Sequence, residues 1–261
     1  MKIYHLQDEV SDIKDTLQIV ELNIMNNCNR SCSYCPHSMP SYQYVQGYMT
    51  LDTVHKIADN LLSYNYTNTV ALCGYGEPTI HKNLPEIISI LNRTNATIEL
   101  ITNGDLLTKD KIQEFFDNGL DLLNISIYDA ETDNLVTNLL NNVDVSKYII
   151  RRRYIDNQLL VDRIAIVNKV NNKTNNPCYL TSYKMMVDIN GDILLCCNDW
   201  TRDEVFGNLT TESLETIWLK NMNARRMALI NGNRQYGACQ SCDITGTLVG
   251  ENSVKMFLQR M

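Results

Sequence analysis

Cys28, Cys32 and Cys35 stand at C-x3-C-x2-C spacing in the run Cys28-Asn29-Arg30-Ser31-Cys32-Ser33-Tyr34-Cys35. Three thiolates on one tight loop can hold three irons of a [4Fe–4S] cube. No fourth cysteine lies nearby, so the fourth iron keeps the open position that a catalytic metal site requires. The competing chemistry is a zinc knuckle, but structural zinc takes four protein ligands and only His37 is placed to complete the set. A second group, Cys178, Cys196, Cys197, Cys239 and Cys242, lies most of the chain away, and Cys73 stands alone. Cys178 and one cysteine from a hairpin, beside the C-x2-C pair Cys239–Cys242, can bring four thiolates onto a closed site. There too, zinc is the alternative.

The elements that must position these residues alternate strand and helix. A strand over 17–24 precedes the first cysteines, with Glu21 and Asn23 alternating against Val20, Leu22 and Ile24. Thr50 caps a helix running to Tyr64, and a strand over 69–73 ends in Gly74-Tyr75-Gly76-Glu77-Pro78. Helices over 83–92, 109–118 and 131–141 then alternate with strands over 97–102 and 122–127, followed by extended stretches over 147–154 and 159–168. Such alternation means βαβ units and a parallel sheet. The polar run 171–177 marks a boundary. Beyond it, Met185–Ile189 and Asp192–Leu195 flank the hairpin signal Asn190-Gly191, and a helix follows from Ser213 to Ile230.

The cysteine spacing, with Tyr34 before the third cysteine, resembles the radical S-adenosylmethionine (SAM) enzymes. So does Gly74-Tyr75-Gly76-Glu77-Pro78, which is similar to their GGEP motif. The resemblance implies an α/β fold, a partial TIM-like (β/α) barrel, over 17–170, behind a cap segment at 1–16. It implies that the open iron chelates the amino and carboxylate groups of SAM. Gly74, Gly76, Glu77 and Pro78 would then face the methionyl ammonium, Tyr34 the adenine, and Thr102, Asn103 and Ser126 the carboxylate and ribose. Residues 171–261 resemble the twitch form of the SPASM extension, a β-hairpin plus helix. In it Cys178 is followed after twelve residues by Gly191, and after four more by Cys196. That Gly-x4-Cys spacing selects Cys196 over Cys197, giving an auxiliary [4Fe–4S] cluster on Cys178, Cys196, Cys239 and Cys242.

The family chemistry reduces SAM to methionine and a 5′-deoxyadenosyl radical, which takes hydrogen from an unactivated C–H bond. The layout resembles dehydrogenases that oxidise an aminocyclitol alcohol to a ketone, so a sugar- or cyclitol-like small molecule is the expected substrate. Peptide-modifying maturases share the extension but often carry an N-terminal peptide-recognition domain, whereas about sixteen residues precede the first strand here. A short peptide substrate and a redox-neutral epimerase or dehydratase are the alternatives. A non-catalytic zinc-binding module is the reading from another class. Glu21 faces the barrel interior, Tyr75 replaces a motif glycine, and Arg152, Arg153 and Arg163 come late in the barrel. These five are the candidate substrate residues, with surface ion pairing the plainer role for each arginine. An electron donor such as flavodoxin or ferredoxin is implied.

Net charge of −7 argues against a nucleic-acid partner, and the one basic run, Arg151-Arg152-Arg153, is too short to overturn that. No stretch of 18 apolar residues and no signal-peptide core appear, so no membrane partner is expected and the expected compartment is the cytoplasm. Nine cysteines in a reducing compartment read as ligands or buried small hydrophobes, and Cys73 as one that packs.

Overall fold

The computed structural model describes residues 13–43, 45–153, 163–167 and 174–244. A short helix α1 (Ile13–Thr16) leads into β1 (Ile19–Asn23), and four helices then alternate with four strands. These are α2 (Leu51–Ser63), β2 (Thr69–Cys73), α3 (Leu84–Leu91), β3 (Thr97–Thr102), α4 (Lys109–Asp117), β4 (Leu122–Ile127), α5 (Ala130–Leu139) and β5 (Tyr148–Arg152). β6 (Lys184–Val187), β7 (Asp192–Leu194), β8 (Val205–Asn208) and α6 (Asn223–Ile230) complete the set. The strands form one open sheet in the order β5-β4-β3-β2-β1-β6-β7-β8. β1 to β6 run parallel, and β7 and β8 are antiparallel additions. Among the described residues the sheet is open and does not close into a barrel; its parallel α/β core is the one expected.

Local chemistry sets the helix starts. The side chains of Thr50, Thr108 and Asp129 accept from the backbone N–H groups of Thr53, Lys111 and Thr132, filling otherwise orphaned donors. One face of each central strand meets these helices: Val20, Leu22, Val70, Leu72, Ile98 and Leu100 are buried with Ile57, Leu61, Ile87 and Ile88 in one core. Each such side chain contributes about 1.5–3 kcal/mol of burial. The alternate residues, Glu21 and Asn23 among them, lie on the other face.

Three local expectations change. The single helix over 213–230 is instead a π-helical stretch, Thr216–Asn221, followed by α6. The Met222 N–H reaches back five residues to the Ile217 carbonyl, which widens that turn. Of the extended stretch expected over 159–168, the described residues 163–167 form a turn. Arg163, Ile164 and Ala165 have φ of +50°, +58° and +63°, a left-handed run that cannot continue a strand. In the expected cap segment, residues 1–12 lie outside the described residues, and Ile13 and Thr16 are buried. The Trp218 indole N–H donates to Thr16 Oγ1 at 2.9 Å, tying that end to the π-helical stretch.

Candidate functional site

The C-terminal ends of the parallel strands open onto one cavity of about 200 Å³, lined by Cys28, Cys32, Cys35, the Gly74–Glu77 loop, Thr102, Asn103, Ser126 and Arg163. That is where a parallel sheet places ligands. The cysteine loop is held from two sides. Asn29 Nδ2 donates to Asp105 Oδ2 at 2.8 Å, and Asn29 Oδ1 accepts from Asn103 Nδ2 at 2.8 Å. The Arg30 guanidinium bonds Asp105 Oδ2 at 2.6 Å, Thr132 Oγ1 at 2.8 Å and Asp129 Oδ2 at 2.7 Å. A capping residue of α5 and the turn after β3 thus grip the loop between its first two cysteines. Burial pushes the Cys28 thiol up to about 11 and raises Cys35 as well.

The glycines of Gly74-Tyr75-Gly76 answer to the end of β1. Gly74 has φ +137°, and a Cβ there would lie 2.4 Å from Asn23 Oδ1. A Cβ on Gly76 would lie 2.3 Å from the Met25 carbonyl oxygen and 2.5 Å from that of Asn27. Glu77 Oε1 accepts from Thr79 N (3.0 Å), Thr79 Oγ1 (2.6 Å) and Thr102 Oγ1 (2.7 Å), and Oε2 from Asn103 N (2.8 Å). This carboxylate clamps the end of β2 to the end of β3, and one acceptor position remains on Oε2. Thr102 serves that clamp. Pro78 starts a buried 3-10 turn, and Ser126 lines the cavity. Tyr34 also lines it, with its ring 5.7 Å from that of Tyr128, a residue the sequence reading missed.

Among the candidate substrate residues the placement is uneven. Glu21 is buried on the sheet face opposite the main core, with Lys184 Nζ 2.8 Å from Oε1. Lys184 was not foreseen, because its partner is 163 positions away. Tyr75 turns its ring onto Trp200 at 4.6 Å and donates to the Asp199 carbonyl oxygen at 2.8 Å. Arg163 reaches the cavity and donates to Asn198 Oδ1 at 3.1 Å. Arg152 and Arg153 are exposed, and Arg152 pairs with Asp133 on α5 at 2.7 Å, the plainer of the two roles considered. Cys73, expected only to pack, borders the cavity.

The second cysteine group converges from three segments. The neighbouring Cys197, Cys178 and Cys239 add to burial in raising the Cys196 thiol, and Cys242 and Cys178 do the same for Cys239. Cys197, by contrast, is pushed up to about 12 by burial and by Glu21, beside Lys184 and Arg163. The two adjacent cysteines therefore have different surroundings: Cys196 is among the other thiols and Cys197 among the polar residues Glu21, Lys184 and Arg163. Among the described residues no three His, Cys, Asp or Glu side chains close on a point as a single metal ion would need. A cube gives each thiolate its own iron and holds the sulfurs farther apart. His37 is committed elsewhere, with Nε2 2.5 Å from the Tyr75 carbonyl oxygen and its ring edge-on to Trp200 at 5.8 Å. All-thiolate donor sets suit iron–sulfur clusters. The cysteines therefore fit the groups the sequence implies.

Comparison with known proteins agrees. The radical SAM superfamily model matches residues 22–176, and an iron–sulfur cluster-binding domain model, SPASM, matches residues 178–243. The chain belongs to the radical SAM superfamily. Its cofactors are SAM and two iron–sulfur clusters, one binding SAM and one auxiliary. It is 26% identical to the S-adenosyl-L-methionine-dependent 2-deoxy-scyllo-inosamine dehydrogenase of Niallia circulans, over 86% of this chain and 92% of that one. A probable GTP 3′,8-cyclase of Methanococcus maripaludis is 37% identical over 41% of this chain and 35% of its own. The crystal structure of BtrN in complex with AdoMet and 2-DOIA superposes with TM-score 0.78 at 24% identity, covering 87% of this chain and 93% of that one.

Proposed function

We propose that the protein oxidises one alcohol of a small polyhydroxylated ring, a sugar or aminocyclitol, to a ketone, with SAM as the oxidant. The carrying observation is the extent of the likeness. It runs along nearly the whole length of the aminocyclitol dehydrogenase, whereas the cyclase match spans about two-fifths of the chain.

When bound, SAM and the reduced first cluster would supply the radical chemistry that takes hydrogen from the carbinol carbon. The remaining work falls to the chain's own residues. Cys28, Cys32 and Cys35 hold the first cluster, and the Gly74–Pro78 backbone with Glu77 Oε2 receives the methionyl ammonium. Tyr34 packs on adenine, and Asn103 and Ser126 serve the carboxylate and ribose. Arg163, at the cavity, binds the alcohol oxygen, and Glu21, the buried carboxylate near Cys197, takes part in handling the hydroxyl proton. Cys178, Cys196, Cys239 and Cys242 would hold the auxiliary cluster, which would take the second electron from the substrate. A flavodoxin or ferredoxin would lend the electron that reduces the first cluster and take this one back, so that SAM is the net oxidant. None of the nine cysteines is in a disulfide, which suits a reducing cytoplasm; among the described residues no helix is long and apolar enough to cross a membrane.

The test is anaerobic turnover of the reconstituted protein with 2-deoxy-scyllo-inosamine and related cyclitols. One ketone per 5′-deoxyadenosine is expected. Abundant 5′-deoxyadenosine with no oxidised cyclitol would sink the assignment.

A further inference from the structure

We infer that Arg202 is a positioning residue that fixes the auxiliary-cluster loop against the SAM-binding strand ends, and so sets how efficiently radical formation is coupled to substrate oxidation. The inference rests on the reading above for its product assay, but not for its spectroscopic one. Arg202 lies six positions after Cys196 and carries φ +56°, a left-handed conformation that a non-glycine residue keeps only when its surroundings enforce it.

Those surroundings come from three strand ends. Arg202 Nε donates to Asp188 Oδ2 at 2.6 Å, just past β6, and Nη2 to Asn26 Oδ1 at 3.2 Å, on the path from β1 to Cys28. Nη1 reaches the Tyr42 hydroxyl and the Trp200 carbonyl oxygen, each at 3.4 Å. The guanidinium lies 4.5 Å from the centre of the Tyr75 ring. Asn23 closes the network: its Nδ2 donates to Asn26 Oδ1 at 2.6 Å and Asp188 Oδ1 at 2.7 Å, while its Oδ1 accepts the Tyr75 N–H at 3.0 Å. Asn23, Asn26 and Asp188 are all buried. One planar cation therefore joins the ends of β1, β2 and β6 to the loop that starts at Cys196. Lysine offers neither the fork nor the stacking face.

The experiment uses the anaerobically reconstituted full chain carrying Arg202→Met, Arg202→Lys or Asp188→Asn. The first readout is the magnetic interaction between the two reduced clusters by EPR, which needs no substrate. The second is the ratio of ketone to 5′-deoxyadenosine with 2-deoxy-scyllo-inosamine. Reductive SAM cleavage should persist in Arg202→Met while the intercluster interaction weakens or spreads, and the ratio should fall roughly ten- to a hundred-fold, as small misplacements at reacting centres do. Arg202→Lys should be intermediate. Wild-type-like interaction in Arg202→Met or in Asp188→Asn would overturn the inference. So would loss of both clusters in both variants, because the network would then be a folding element. A wild-type protein that forms no ketone would count against the proposed substrate and leave the EPR result standing.

Discussion

At the scale of single residues, Cys196 and Cys197 are the most informative pair. They are adjacent, yet one sits among thiols and the other beside Glu21 and Lys184. Cys196→Ala should lose about four of about eight irons per chain, and Cys197→Ala should keep them. The reverse iron count would place the loop in the opposite register. The cysteines were legible because cluster ligation restricts residue type and spacing so tightly. The same holds for Gly74 and Gly76, although the sequence suggested ligand approach as their reason and the structure adds the passing end of β1. What could not be read was pairing at long range. Lys184 with Glu21, Arg30 with Asp129 and Arg202 with Asp188 depend on folding, and nothing local announces a charge's partner. Of three late arginines, only the folded chain singles out Arg163 at the cavity.

At the scale of elements, alternating strands and helices were legible from periodicity and from capping residues such as Thr50. The π-helical turn and the left-handed run at 163–165 were not, because hydrophobic spacing reports burial and not backbone handedness. The loop after β2 is the element most sensitive to change. A methyl group on Gly76 would meet two backbone carbonyl oxygens, which cannot rotate away as side chains can. Gly76→Ala is therefore expected to destabilise the protein by about 1–3 kcal/mol, the usual range for overpacking, and to weaken SAM binding at least tenfold. A variant with unchanged melting temperature and unchanged SAM affinity would show that the β1 end yields easily.

For the whole molecule, acid stability follows from two histidines, His81 buried and His37 half-buried. Burial, with Arg202's charge adding, holds His37 below its ordinary 6.5, and burial alone does so for His81. Each accordingly keeps a neutral ring beside a backbone carbonyl oxygen, of Tyr75 and Met49 respectively. The unfolded chain takes up these protons more readily than the folded one, so the stability they contribute is intact above the unfolded value near 6.5 and declines as pH falls through and below it. Melting temperature should drop between pH 7 and pH 5.5, and the drop should shrink in His81→Gln. A flat profile in the wild type would refute it.

The pairing of β6 with β1 bears on how such a protein can be inherited or rebuilt. By sequence likeness the chain divides cleanly, with one match ending at residue 176 and the next beginning at 178. The hydrogen bonds do not respect that division, for Ile19 to Leu22 lie in register with Lys184 to Val187. A chimaera that exchanged everything after residue 177 would give β1 a new neighbour, and Glu21 and Asn23 new partners. Exchange is therefore expected to succeed only between chains whose first strands already match, so the two halves should change together over evolutionary time instead of circulating as independent modules.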